Sequence, residues 1–178
     1  MFREMRRKKQ VLSIEDSIAV LNNGTSGVLA VSGDNDYPYA VPLSYVYHDR
    51  KIFFHCAQTG HKLDAIARNE KVSFCVIDQD NVVPQEYTSY FRSVIVFGKA
   101  RILNNEDEKR SALEILAAKY SPDEQGRLQE IEKHFKQVCL VELVIEHITG
   151  KEAIELVKAK HRLYTLRGGV KCIKSAPY

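Results

Sequence analysis

Tryptophan is absent from the 178 residues, methionine occurs twice and proline five times. The four cysteines, Cys56, Cys75, Cys139 and Cys172, form no C-x-x-C pair and have no zinc-like spacing with histidine. Neither a metal knuckle nor a disulfide framework is indicated, and three of the four are expected to be buried as small apolar side chains. No run approaches the roughly 20 apolar residues of a membrane helix. The opening MFREMRRKKQ is charged with no apolar segment behind it, so no membrane partner and no secretory leader are expected, and the protein is expected in the cytoplasm. Charge of one sign is scarce as well. Lys and Arg total 26 against 23 Asp and Glu, a net of +3, too slight to imply nucleic acid as an obligate partner.

What is present is ordinary globular material: 44% hydrophobic and 28% charged residues suit a packed core rather than disorder, and the length suits one core. Basic residues gather at the two ends. Arg3, Arg6, Arg7, Lys8 and Lys9 stand against Glu4 alone, and residues 158–174 carry Lys158, Lys160, Arg162, Arg167, Lys171 and Lys174 with no acid. Both read as solvated segments without a nucleic-acid reader motif.

Ser13-Ile14-Glu15-Asp16 resembles a capping box, and Ile14, Ile18 and Leu21 give the helix behind it an apolar stripe before Gly24. Strand-like runs follow at 27–31, 37–47, 51–57, 71–78, 90–103 and 138–148, with helical spacing at 61–68, 106–120 and 123–135. Strand–helix alternation with a glycine-rich first turn is missing, which excludes a doubly wound nucleotide fold. The expected class is mainly β with flanking helices, a six-stranded antiparallel barrel over residues 1–150 with a helical insertion at about 106–135 and a basic extension at 151–178.

The densest chemistry lies in Phe53-Phe54-His55-Cys56-Ala57-Gln58-Thr59-Gly60-His61-Lys62. There a strand ends, a glycine relaxes the backbone, and a basic pair opens a helix whose free N–H groups suit a phosphate. A lysine in a first helical turn is also commonly just solvated. His55 is either a half-buried histidine bonded to a backbone carbonyl, or a proton donor or ligand contact. His48, His134, His147 and His161 receive no role. Pro42, inside a strand pattern, calls for an edge, a bulge or a ligand. Tyr87, Tyr90 and Phe91 line an aromatic pocket or cap a barrel end.

Taken in order, Gly-Val-Leu-Ala-Val (27–31), Tyr-Pro-Tyr-Ala-Val-Pro-Leu-Ser-Tyr-Val-Tyr (37–47), Phe-His-Cys-Ala (54–57), Gly-His-Lys-Leu-Asp (60–64), Val-Ser-Phe-Cys-Val (72–76) and Tyr-Phe-Arg-Ser-Val-Ile-Val-Phe-Gly-Lys-Ala (90–100) resemble the nitroimidazole-resistance (Nim) proteins. Those belong to the pyridoxamine 5′-phosphate oxidase-like superfamily of FMN-binding split β-barrels, homodimers with two flavins at the subunit interface. The resemblance implies that Ala40, Val41, Pro42, Leu43 and Ser44 run beside a flavin, FMN or else FAD, largely through backbone groups. It implies that His61 and Lys62 meet its phosphate, that Ser93 reaches it from a neighbouring strand, and that His55 and Ala57 border it. His55 is the implied catalytic residue, orienting or protonating a 5-nitroimidazole or similar small acceptor after a nicotinamide or other donor reduces the flavin. No counterpart of the C-terminal tryptophan and arginine motif of true pyridoxamine phosphate oxidases is present, so that activity is not implied. A non-catalytic flavin- or haem-binding module on the same barrel is the alternative. The basic tail, with Tyr164, is a solvated end, an arm across the dimer, or a site for the adenine half of FAD.

Overall fold

The computed structural model describes residues 1–166; Arg167, Lys171, Cys172 and Lys174, and the side chain of Tyr164, lie outside the described residues. Ser13 caps α1 (Ile14–Asn23) as its sequence predicts, its Oγ accepting the Asp16 N–H at 3.0 Å. The buried face of α1 is Ser17, Val20 and Leu21, whereas Ile14 is 53% exposed, so the expected stripe is rotated by part of a turn. Gly24 ends the helix where no side chain fits: a Cβ there would stand 2.7 Å from Tyr45 Oη and 2.8 Å from Val76 Cγ1.

Seven strands follow: β1 (Ser26–Ser32), β2 (Pro38–Ser44), β3 (Val46–His48), β4 (Lys51–Ala57), β5 (Lys71–Val83), β6 (Thr88–Ile102) and β7 (Val138–Glu152). All neighbours pair antiparallel in the order β2-β1-β5-β6-β7-β4-β3. The expectation of six strands is corrected by one residue. Tyr45 interrupts the run 37–47, turns fully inward and donates its hydroxyl to the Leu21 carbonyl at 2.8 Å. β2 and β3 therefore lie at opposite edges of the sheet yet are joined by Tyr45 alone, which forces the sheet to curl on itself. The result is a barrel with one seam, between β2 and the β3/β4 edge, that no ladder closes.

Leaving two ladders at once would strand the Tyr45 backbone. Tyr120 resolves this from α3 (Glu106–Tyr120): its hydroxyl accepts the Tyr45 N–H at 2.9 Å and shares its proton with the carbonyls of Tyr45, also at 2.9 Å, and Thr25. Tyr120→Phe should therefore cost about 1–2 kcal/mol, seen as a lower denaturant midpoint with unchanged slope. An unmoved midpoint would show that the joint holds without it.

The expected helices 61–68 and 106–120 are found as α2 (His61–Arg68) and α3. The third is shorter, α4 (Arg127–His134), starting after Gly126 rather than at 123. α3 and α4 cover one flank of the barrel through Ala112, Leu113, Leu116, Ile131 and Phe135, packed on Val46, Phe53, Leu103 and Leu140. A long β5–β6 hairpin replaces the expected polar loop, with Tyr87 left-handed at φ 51° in its turn. Tyr87 is in solvent, Tyr90 donates its hydroxyl to Glu86 and Phe91 lies under Lys151, so the three aromatics are not gathered into a pocket.

Two other expectations are revised. Cys56, Cys75 and Cys139 are half-buried rather than buried, because each stands near a strand end or on the open side of the sheet. The basic tail begins as α5 (Ile154–Leu166), and Lys160 is tied down rather than solvated, at 3.0 Å from Glu152 and 3.1 Å from Asp16. No helix among the described residues is long and apolar enough to cross a membrane.

Candidate functional site

The seam has a definite hydrogen-bond polarity. In an antiparallel pair, residues that exchange backbone bonds alternate with residues whose N–H and C=O point the other way. The bond from Gly33 N–H to the Tyr37 carbonyl, 2.8 Å, sets that alternation for β1–β2. It assigns Tyr39, Val41 and Leu43 to the ladder and directs the main-chain groups of Ala40, Pro42 and Ser44 away from β1. Pro42 thus occupies a position where the missing N–H removes no ladder bond. On the opposite wall, the bond from Ile145 N–H to the Arg50 carbonyl, 3.1 Å, makes Phe54 and Cys56 the partners of β7. The groups of His55 and Ala57 are thereby turned to the seam.

The far end of the seam is closed by α2. Gly60, with φ 143°, supplies the backbone turn that L side chains resist, and the first two amides, His61 and Lys62, have no backbone partner among the described residues. The His61 ring stacks on Tyr39 at 4.2 Å, tying α2 to β2, and its Nε2 is inaccessible and unpartnered, 3.6 Å from Asp34 Oδ2. Arg68 holds the same carboxylate at 2.7 Å, and this hydrogen bond, with His61 nearby, keeps the Asp34 carboxyl below its ordinary range. Lys62 makes no ion pair among the described residues, and its charge reaches Cys56 and Cys139.

Side chains divide differently from backbone. Val41 and Leu43 turn inward onto the core, while Ala40, Pro42 and Ser44 face outward. That outer face continues in register across four strands: Ser44, Ser26, Ile77 and Ser93 share one row, and Ala40, Ala30, Ser73 and Phe97 another. Ser93 is therefore on the same face as Ser44, three strand spacings or about 14 Å away. The face is apolar at Ile77, Ile95 and Phe97, and the N-terminal Phe2 lies across it, 4.6 Å from the ring of His147 and 5.6 Å from Phe97. The arm's one apolar ring was hidden from sequence reasoning by its basic neighbours.

His55 projects from β4 on the side of Phe53, toward α3 and α4. It is exposed, has no hydrogen-bond partner among the described residues, and so is not the carbonyl-bonded histidine of the structural alternative. It lines a cavity of about 500 Å³ whose other walls include Leu113, Leu116, Ile131 and Val138, with Arg127 and His134 at the polar side. Arg127 donates to the carbonyls of Ser121 and Pro122, and His134 meets Glu130 at 3.0 Å and Gln137 at 3.2 Å. His55 is thus the imidazole left for a ligand. Among the described residues no group of three His, Cys, Asp or Glu gathers in a way that could hold a metal.

No curated protein is significantly similar in sequence. Among solved structures, a Bacteroides thetaiotaomicron protein, described provisionally as a 5-nitroimidazole antibiotic resistance protein, aligns over 80% of this chain and 86% of its own, with TM-score 0.68 and 20% identity. A FAD-binding protein from Mesorhizobium loti aligns over 81% and 97%, with TM-score 0.60 and 25% identity. A FAD and haem binding protein from Mycobacterium smegmatis aligns over 82% and 73%, with TM-score 0.69 and 22% identity. The sequence family described as pyridoxamine 5′-phosphate oxidase matches residues 13–152. That span runs from the cap of α1 to the last residue of β7 and takes in both walls of the seam. The chain belongs to the pyridoxamine 5′-phosphate oxidase family.

Proposed function

We propose that the protein is a flavin-dependent oxidoreductase of the Nim type, holding FMN or FAD along the seam and reducing a nitroaromatic such as a 5-nitroimidazole, or a similar small acceptor, beside His55. The observation that carries this is the convergence of unpaired backbone groups. Ala40, Pro42 and Ser44 on one wall, His55 and Ala57 on the other, and the bare start of α2 at the end all turn main-chain polar groups to one slot. The residues present fit a flavin. A helix start with two open amides, those of His61 and Lys62, and the unpaired Lys62 side chain suit a phosphate, and alternating donors and carbonyls suit the heteroatom edge of a ring.

A bound flavin supplies the carrier that accepts electrons from a nicotinamide or other donor and passes them on. The chain's own residues do the rest. Lys62 and the α2 amides neutralise phosphate charge, and the backbone of Ala40 to Ser44 fixes the ring's register. His55 orients the acceptor in the apolar cavity and moves a proton to it. The outer face, with Ile77 63%, Ile95 40% and Phe97 38% exposed, is covered in this reading by a second copy, giving a homodimer. Ser93, on that face, then meets the cofactor from the interface side.

The test is the visible absorption spectrum of the freshly purified protein, followed by chromatography of what heat releases. A yellow protein releasing FMN or FAD is expected and identifies which; a colourless protein that also takes up no added flavin removes the enzyme reading. A second reading, a haem-binding module, has one observation behind it: His55 offers an unpartnered imidazole to an apolar cavity. The same spectrum decides, by a Soret band.

A further inference from the structure

Cys56 and Cys139 face each other directly across β4 and β7. By the alternation set at Arg50 and Ile145, theirs is a hydrogen-bonded pair, for which antiparallel geometry places the two Cα atoms about 5.5 Å apart. That Cα separation is within the range a disulfide spans, and closing the bond draws the two Cβ atoms together from the wider spacing of a hydrogen-bonded pair. The side chains lie on the same side of the sheet, each thiol acts on the other, and both are free and half-buried. Neither is used by the chemistry proposed above.

The pair is reachable at Cys139. Cys139 lines a surface pocket of about 550 Å³ together with Gln58, Asn104, Glu106, Lys109 and Lys136. Lys109 donates to the Phe135 carbonyl at 2.6 Å and still acts on the Cys139 thiol, as does Lys62. The pocket's two lysines against one acid favour an anionic visitor. Burial pushes both thiols up, Cys56 to about 11, whereas for Cys139 its partner thiol and the two lysines counter that burial. Cys139 is the thiol that lines the pocket, and Lys62 and Lys109 both favour its ionised form.

We propose that Cys56 and Cys139 are a reversible dithiol–disulfide site, oxidised by an anionic low-molecular-weight disulfide that enters at Cys139. The Cys139 thiolate attacks one sulfur of the small disulfide, forming a mixed disulfide and releasing one small thiolate. The Cys56 thiolate then attacks Cys139 Sγ, forming the internal bond and releasing the second. Two protein thiols are oxidised, one small disulfide is reduced to two thiols, and the two protons leave with them. The raised thiol of Cys56 makes closure the slower step, and an excess of small thiol reopens the bond by the reverse route. Lys62 acts on both thiols, so closing the bond removes two groups whose ionisation its charge favours.

The test uses the full chain carrying C75S and C172S, so that only this pair reports. Incubated with oxidised glutathione and then alkylated, the protein should lose two hydrogens in intact mass and both alkylation sites. Its peptides containing Cys56 and Cys139 should be joined within one chain, and adding C56S should halt the reaction at one glutathione on Cys139. The proposal is overturned if both thiols stay alkylatable at a glutathione ratio that oxidises a free vicinal dithiol. It is overturned equally if the glutathione adduct accumulates without the internal bond, if the bond forms between chains, or if C56S takes up no glutathione. Mass is read with or without flavin bound, so failure here and failure of the flavin reading are separate results.

Discussion

His55→Ala should abolish most turnover while leaving the flavin in place. Proton transfer by a positioned imidazole contributes on the order of a hundred- to ten-thousand-fold, and His55 is exposed to the acceptor cavity with no internal hydrogen bond to hold its structure together. Its side chain points away from the barrel core, so its removal should leave no void among the buried residues. The measurement is kcat with reduced nicotinamide and a small nitroaromatic, alongside flavin content per chain. A fall in kcat at unchanged flavin content is expected, with partial recovery in His55→Gln if orientation contributes as well as proton transfer. Equal turnover with several acceptors would strip His55 of its role.

Lys62→Ala should loosen the cofactor at its phosphate end. A charge-assisted contact of this kind contributes about 1.5–3 kcal/mol, which corresponds to roughly a ten- to hundredfold rise in Kd for FMN. Riboflavin, which has the ring without the phosphate, provides the internal control: its affinity should not change. Lys62→Arg should retain most of the FMN affinity. An equal loss for FMN and riboflavin would mean that the substitution disturbs the seam rather than a phosphate contact, and no loss for either would place the phosphate elsewhere.

The sequence made the local events plain. The Ser13 cap, the bounds of α2 and α3, and the punctuation at Gly60 follow from rules that act over a few residues. What lay beyond it was decided across the chain. The run 37–47 alternates smoothly through Tyr45, and only a hydroxyl 75 residues away, on Tyr120, makes a break there affordable. Ile14 scores as part of an apolar stripe, yet the face of α1 is fixed by what the barrel presents to it. His55 follows two phenylalanines, so its neighbours say apolar. That it faces a cavity depends on where α3 and α4 settle. The resemblance gathered the site's residues into one list, but the division of β2 and β4 into ladder-bonded and seam-directed positions comes from register alone.

The seam also bears on how the protein keeps to itself. Two strand edges with unsatisfied backbone groups are the kind of surface on which a foreign strand grafts and aggregation begins. Here the edges of β2 and β4 face one another, pinned at one end by Tyr45 and at the other by the His61–Tyr39 stack. Because the two edges face each other, neither stands alone as an open border of the sheet. The chain can thus hold a row of bare amides and carbonyls in readiness for a ligand without exposing a template for its own precipitation.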